Sequence, residues 1–257
     1  MSRIVVDAGP WQAAPRALPA WKAIFAIGDV HSHADHLWTL HERISGIIAL
    51  EHDARDVSVV WLGDYVDRGW EPLQTLDLVA AGLGRPEISE VKLLGNHERY
   101  LIDAATGRDL SLPRLLNWWR YGGEETLKCL APDAEIDNPQ TVGAALFESL
   151  GRERLAFLEA LPLQHRIGDY VFVHAGLNPD RRLDDQDEED LLWIREPFLS
   201  GWDWPHPVTV VHGHTPDGPI ALQHRIGIDS GVFASGSLSA VEIRGTELRF
   251  LTTRIER

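Results

Sequence analysis

SVVWLGDYVDRG, residues 58–69, is the stretch on which the fold turns: a β-branched, apolar run that stops at Gly63 and is followed at once by polar side chains. Such a run reads as a strand ending in a tight turn. The same figure stands on either side of it, as AIFAIGDVHS at 23–32 and VKLLGNHER at 91–99. Between the first two, Leu37, Leu40, Ile44, Ile47 and Ile48 share one helical face, and a second helix is expected from Glu71 to Ala81. Strand and helix patterns in alternation are an α/β rhythm.

Outward from this core the texture changes twice. Residues 112–161 carry tryptophans and a helical pattern, with loop signals at YGG (121–123) and APD (131–133), and are expected to be a helical insert. After Pro162 come YVFVHAG (170–176), VTVVHGH (208–214), RIGIDSG (225–231) and SLSAVEI (237–243), strand-like runs that each end in a turn. The run DDQDEED (184–190) reads as a solvated loop leading into the helix LLWIREPF. One domain over 21–257 follows, preceded by residues 1–20 as a loosely held arm. That arm is broken by Pro10, Pro15 and Pro19 and has no continuous apolar stretch, so it does not read as a signal peptide.

Composition narrows the partners. The chain has 257 residues and a net charge of −15, which repels nucleic-acid backbones and anionic membranes. No stretch reaches the roughly 18 uninterrupted apolar residues of a membrane span. Cys129 is the single cysteine, so no internal disulfide exists and a reducing, cytoplasmic setting is expected. No Arg follows Cys129 at a spacing that would cradle a phosphate around a thiolate, which argues against a cysteine nucleophile.

The chemistry is carried by what stands at the strand ends. GDVHS (28–32), GDYVDRG (63–69), GNHER (95–99), VHAG (173–176) and HGHT (212–215) supply Asp29, His31, Asp64, Asp67, Asn96, His97, His174, His212 and His214. In open α/β sheets, sites are built at the carboxyl ends of the strands. Oxygen and imidazole donors without a thiolate suit manganese, iron or zinc. Any one of these segments is a common turn; five in succession are a site.

In this order the five segments resemble the signature of the bacterial PPP-type protein serine/threonine phosphatases, a branch of the calcineurin-like metallophosphoesterase superfamily. YGGEETL (121–127), LPLQHRIGDYVFVHAG (161–176), EEDLLWIREPF (188–198) and IDSGVFASGSLSAVEI (228–243) agree with the bacterial members, so the likeness spans about residues 26–243. The resemblance implies a four-layer α/β/β/α sandwich and two divalent ions, manganese first, with iron or zinc as alternatives. Asp29 and His31 would hold one ion, Asn96, His174 and His214 the other, and Asp64 would bridge them. It further implies phosphate release from a phosphoprotein or phosphopeptide by hydroxide shared between the ions. His97 would serve as general acid, oriented by Asp67, and Arg68 and Arg195 would grip phosphoryl oxygens.

Departures from the pattern matter. Ser32 stands where the family has Gly, which suits Ser provided φ is negative. His33 and His36 are expected to be exposed at a helix start, and His212 to be a bystander or an outer partner of the metal site. Trp118 and Trp119 are expected to pack in the core, whereas Trp202 and Trp204 could rim the groove instead. Symmetrical diadenosine tetraphosphate hydrolases are similar but depart from VDRG and carry GNHD, against which Asp67 and Glu98 weigh here. A phosphotyrosine-acting member of the family stays open, as does the oligomeric state.

Overall fold

Ala23, Phe25 and Ile27 face one hydrophobic core while Ile24 and Ala26, between them in the same strand, face another. Side chains alternate across a strand, so a strand apolar at every position must be covered on both faces. The computed structural model, which describes residues 3–256, covers it with helices on one side and a second sheet on the other.

The strands are β1 (Arg3–Ala8), β2 (Gln12–Ala13), β3 (Ala23–Ile27), β4 (Val57–Trp61), β5 (Ser89–Lys92), β6 (Gln164–Ile167), β7 (Tyr170–Val173), β8 (Thr209–His212), β9 (Ile220–Ala221), β10 (Arg225–Gly227), β11 (Ser239–Arg244) and β12 (Glu247–Glu256). The first sheet runs β1-β12-β11-β3-β4-β5, with β2 also on β12; the second runs β6-β7-β8-β10-β9. β3, β4 and β5 are parallel, and so are β7, β8 and β10, so their carboxyl ends lie at common edges.

The helices are α1 (Ala34–Glu51), α2 (Pro72–Ala81), α3 (Asn96–Thr106), α4 (Leu112–Trp118), α5 (Glu124–Leu130), α6 (Pro139–Glu159), α7 (Glu188–Trp193) and α8 (Val232–Ser235). α1 buries its predicted stripe, Leu37 to Ile48, against the first sheet. Pro72 opens α2 where no N–H partner is needed, and Gly82, at φ +62, ends it. Between the sheets, Val60, Leu62 and Leu93 meet Tyr170, Phe172, Val211 and Ile226. On the far side of the second sheet, Val171, Val173 and Val210 pack on Leu191, Ile194 and Phe198. Helices, sheet, sheet and helix form the four layers that the family resemblance implied.

One local expectation needs amendment. Residues 3–8, expected to belong to a loose arm, pair antiparallel with β12 from Arg3↔Glu256 to Ala8↔Leu251. The hydrogen bonds of an edge strand hold them, a pairing that proline positions could not foretell. Helix α6 is interrupted at Gly151, whose φ of 70° and ψ of 166° are not helical. Among the described residues no helix is long and apolar enough to cross a membrane.

Candidate metal centre

The loops after β3, β4, β5, β7 and β8 converge at the edge where the two sheets meet. Among the described residues, His31, Ser32, Asp64, Asp67, Arg68 and His214 have positive φ, and Asp203 is the only other non-glycine residue that does. For L-residues this backbone conformation costs free energy, and it persists where surrounding contacts over-determine it. Ser32 is one of these, at φ +57, so the residue that replaces the family's Gly sits in the conformation for which Gly is favoured. Its N–H donates to Tyr65 O at 2.8 Å, which ties the first loop to the second.

Glu98 holds the second loop. Its carboxylate accepts the backbone N–H groups of Asp64 (2.8 Å), Tyr65 (2.7 Å), Val66 (3.1 Å) and Gly95 (3.1 Å). Gly95 itself has no room for a side chain: a Cβ would lie 2.2 Å from Asp64 N. The turn that opens α3 and the turn after β4 are thereby locked back to back.

Inside these turns the predicted ligands meet. Asp64 Oδ2 is 3.7 Å from His31 Nε2, Asp64 Oδ1 is 3.4 Å from His174 Nε2, and Asn96 Oδ1 is 2.7 Å from His174 Nε2 and 3.0 Å from His214 Nδ1. Asp29 joins through its Oδ2, which accepts the His214 backbone N–H at 2.8 Å.

Whether divalent ions fit here can be judged from hydrogen-bond supply. His31 and His174 donate Nδ1–H to Val66 O (3.0 Å) and Leu62 O (2.8 Å), so each presents a bare Nε2 to the interior. Among the described residues His31 Nε2 and Asp29 Oδ1 have no hydrogen-bond partner, although both are buried. Lone pairs therefore face lone pairs in a place closed to water, an arrangement that a cation relieves. Charge points the same way. Burial, then Asp229 and Asp64, raise the Asp29 carboxyl well above the carboxylate range. Burial opposes ionisation of Asp64 too, but His174, His97, His31 and His214 outweigh it and lower its pKa. The donors form two groups, His31, Asp64 and His97, and Asp64, His174 and His214, with Asp64 common to both. The set fits a pair of hard or borderline divalent ions.

Beside the ligands stands a second constellation. His97 Nδ1 donates to Asp67 Oδ2 at 2.6 Å, and His97 Nε2 lies 3.3 Å from Arg68 Nη2. Burial alone would lower the His97 pKa, yet Asp64 and the Asp67 hydrogen bond bring a net rise. Arg68 is held from outside by the 119–123 turn: its N–H donates to Gly122 O at 2.9 Å, its Nε–H donates to Tyr121 O at 3.2 Å, and its guanidinium lies 4.4 Å over the Phe233 ring. Arg68, Asn96, His97, Tyr121, Trp193, Arg195 and His214 line a cavity of about 290 Å³. Arg195 thus reaches the same space as Arg68 from α7's far end.

Other residues fall differently from expectation. His36 is buried, not exposed, with Nδ1 at 2.8 Å from Thr253 Oγ1, because α1's first turn packs under β12. His33 is half-buried and its Nδ1 lies 2.6 Å from His31 O. His212 Nε2 faces Arg225 Nη1 at 3.2 Å, and Arg225 is in turn paired with Asp217 at 2.8 Å. Trp204 packs on Phe198 and Trp202 is exposed; neither lines the cavity. Asp229 escaped the sequence reading although the strand-end pattern in IDSG could have flagged it. It is buried, with Oδ1 accepting the Gly231 N–H at 2.8 Å, and burial pushes its carboxyl up to about 6. A third acidic group, Glu51, His52 and Glu242, is neutralised by Arg249 and Arg244 and forms an ion-pair network.

A family described as Calcineurin-like phosphoesterase matches residues 22–232. The chain is 32% identical over 157 residues to a symmetrical bis(5'-nucleosyl)-tetraphosphatase of Methylococcus capsulatus, covering 61% of this chain and 44% of that protein. It is 26% identical over 233 residues to serine/threonine-protein phosphatase 2 of Salmonella typhimurium, covering 87% and 94%. The chain thus spans about half the length of the symmetrical tetraphosphatases it matches. A crystal structure of a cold-active protein tyrosine phosphatase shares the fold, with a TM-score of 0.58 and 18% identity over 91% of this chain and 79% of that one.

Proposed function

Because the chain belongs to the calcineurin-like phosphoesterase family, we propose that it is a metal-dependent phosphomonoester hydrolase that works as a PPP-type protein serine/threonine phosphatase, with 21–257 as the catalytic unit. The observation that carries this reading is the Asp67–His97–Arg68 arrangement at the mouth of the ligand cluster. Asp67 and Arg68 come from one turn and His97 from another, and they meet within 2.6 and 3.3 Å.

In this reading Asp29 and His31 would hold one divalent ion, Asn96, His174 and His214 a second, and Asp64 would contribute to both, with manganese the first candidate. Bound there, two such ions lower the pKa of water and polarise phosphoryl oxygens. The rest is the work of the chain itself. His97, with Nδ1 tied to Asp67, accepts from Arg68 Nη2 at Nε2 in the free site; once Arg68 turns to the phosphate, Nε2 carries the proton that goes to the departing alkoxide. The Arg68 and Arg195 guanidinium groups bind the non-bridging phosphoryl oxygens and orient the ester so that its leaving oxygen faces His97. When the P–O bond of a phosphoserine or phosphothreonine breaks, the seryl or threonyl oxygen departs as a poorly stabilised alkoxide and needs that proton, which is why a buried carboxylate–imidazole pair suits it.

A second reading, hydrolysis of a dinucleoside tetraphosphate, is favoured by the likeness to the Methylococcus protein, which is higher in identity but covers less than half of it. Asp67 and Glu98 weigh against it, since the DRG and GNHE pairings are both present. The test is a manganese-supplemented panel of phosphoserine, phosphothreonine and phosphotyrosine peptides, p-nitrophenyl phosphate and diadenosine tetraphosphate. Preference for the phosphoserine and phosphothreonine peptides supports the first reading; preference for the dinucleotide replaces it with the second, and preference for phosphotyrosine overturns the serine/threonine specificity in favour of a phosphotyrosine-acting member of the same family.

A further inference from the structure

Trp118 does more than pack. It is fully buried at the end of α4, its ring stacks on Tyr100 with centroids 6.4 Å apart and planes 8° from parallel, and its indole N–H donates to Asp67 Oδ2 at 2.5 Å. That oxygen is the one His97 Nδ1 uses, at 2.6 Å. Asp67 therefore receives two N–H donors on one oxygen, while its Oδ1 is buried and has no hydrogen-bond partner among the described residues. Thr126, on α5, fixes the same residue through its backbone, with Oγ1 accepting the Asp67 N–H at 3.0 Å. The chain makes room for the indole at Gly123, where a Cβ would lie 2.6 Å from Trp118 Nε1.

From this we infer that Trp118 is a positioning residue for the proton-donating His97, acting through Asp67. The inference rests on the proposed role of His97. A carboxylate on a left-handed residue, here Asp67 at φ +70, could rotate about χ1 and χ2 to offer either oxygen, or neither, to the imidazole. The indole N–H removes that freedom: it is a donor with no acceptor ability, so only a carboxylate oxygen turned towards it satisfies it. With Oδ2 so placed, His97 Nδ1–H has one acceptor in one direction, and Nε2 is set on the side of Arg68 Nη2, with which it lines the cavity. Buried tryptophan N–H groups seek a partner in any fold; what is particular here is that the partner is the oxygen shared with His97.

The experiment compares Trp118→Phe, which keeps an aromatic ring for Tyr100 but lacks the N–H, with His97→Asn and the parent, all manganese-loaded. Hydrolysis is measured for aryl phosphates of graded leaving-group acidity. General acid catalysis is worth about 10²- to 10⁴-fold, and we expect Trp118→Phe to forfeit about tenfold of it on phenyl phosphate while 2,4-dinitrophenyl phosphate is little changed. Zinc-loaded, ¹⁵N-histidine-labelled protein gives a readout independent of turnover: the His97 Nδ1–H proton, far downfield because the bond to Asp67 is short, should move upfield in Trp118→Phe. Uniform loss across the leaving-group series together with an unmoved Nδ1–H signal overturns the inference and leaves Trp118 as packing. If His97→Asn itself shows no leaving-group dependence, it is the general-acid reading that fails, and the proton signal alone then decides whether Trp118 positions the pair.

Discussion

Replacing Gly122 with Ala should cripple phosphate binding while leaving every predicted ligand and the His97–Asp67 pair untouched. Gly122 has φ +106 and ψ 13, outside the regions an L-residue occupies readily, and an added Cβ would lie 2.4 Å from Arg68 Cγ and 3.1 Å from its Nε. The backbone cost is about 1–3 kcal/mol. The clash falls on a side chain, so Arg68 would swing away and surrender its bond to Tyr121 O and its place over Phe233. Hydrogen bonds to a charged partner are worth about 1.5–3 kcal/mol, so losing them to the phosphoryl group costs about 10- to 150-fold in kcat/KM. The control is Gly84→Ala, at φ +66 with nothing within 4 Å of the new Cβ, which isolates the backbone cost of about 1–2 kcal/mol. The assay pairs kcat/KM on p-nitrophenyl phosphate with urea unfolding for Gly122→Ala, Gly84→Ala, Arg68→Ala and the Gly122→Ala/Arg68→Ala double variant. Undiminished kcat/KM in Gly122→Ala, or a further loss in the double variant as large as in the single one, would refute the claim that this turn acts by seating Arg68.

Asp64→Asn should cost both ions, since this carboxylate is common to the two donor groups. Elemental analysis after dialysis should show metal content falling below one ion per chain, and activity should drop by more than the roughly 10- to 100-fold that loss of an outer partner costs. His41 supplies a pH-dependent test of the fold. It is buried against Trp61 with ring centroids 4.7 Å apart, its Nε2 lacks a hydrogen-bond partner among the described residues, and burial, then Lys92, push it down to about 4. The unfolded chain takes up that proton near pH 6.5 and the folded chain refuses it until about 4, so stability is whole above 6.5 and falls as the pH drops towards 4. The loss approaches about 3 kcal/mol, and His41→Leu should flatten that part of the profile in urea unfolding series; an unchanged slope would place the acid sensitivity elsewhere.

The strand-and-helix alternation and the collection of Asp, His and Asn side chains at the strand ends were legible because both follow from local rules, whereas the four layers came with the family resemblance. A strand apolar at each position, as in AIFAI, needs cover on two faces, and a Gly–Asp or Gly–Asn turn at its end delivers a donor to the sheet edge wherever the strand lies. Reading the strands in order flagged Asp29, His31, Asp64, Asn96, His174 and His214 among nine candidates; it was the resemblance that proposed these six as the metal ligands. What stayed hidden depends on contacts between segments far apart in the chain. The N-terminal residues became a strand because β12 offered an open edge 240 and more positions later. His36 and His41 were buried because of what packs over α1, a matter on which helical periodicity is silent. Ser32 took a left-handed backbone because Tyr65 O, one loop away, holds its N–H. Trp118 looked like any core aromatic in LLNWWRY, and only tertiary structure laid its N–H on Asp67, 51 positions earlier, for the reason that a hydrogen bond depends on where two atoms meet in space and not on the spacing of the residues that bear them.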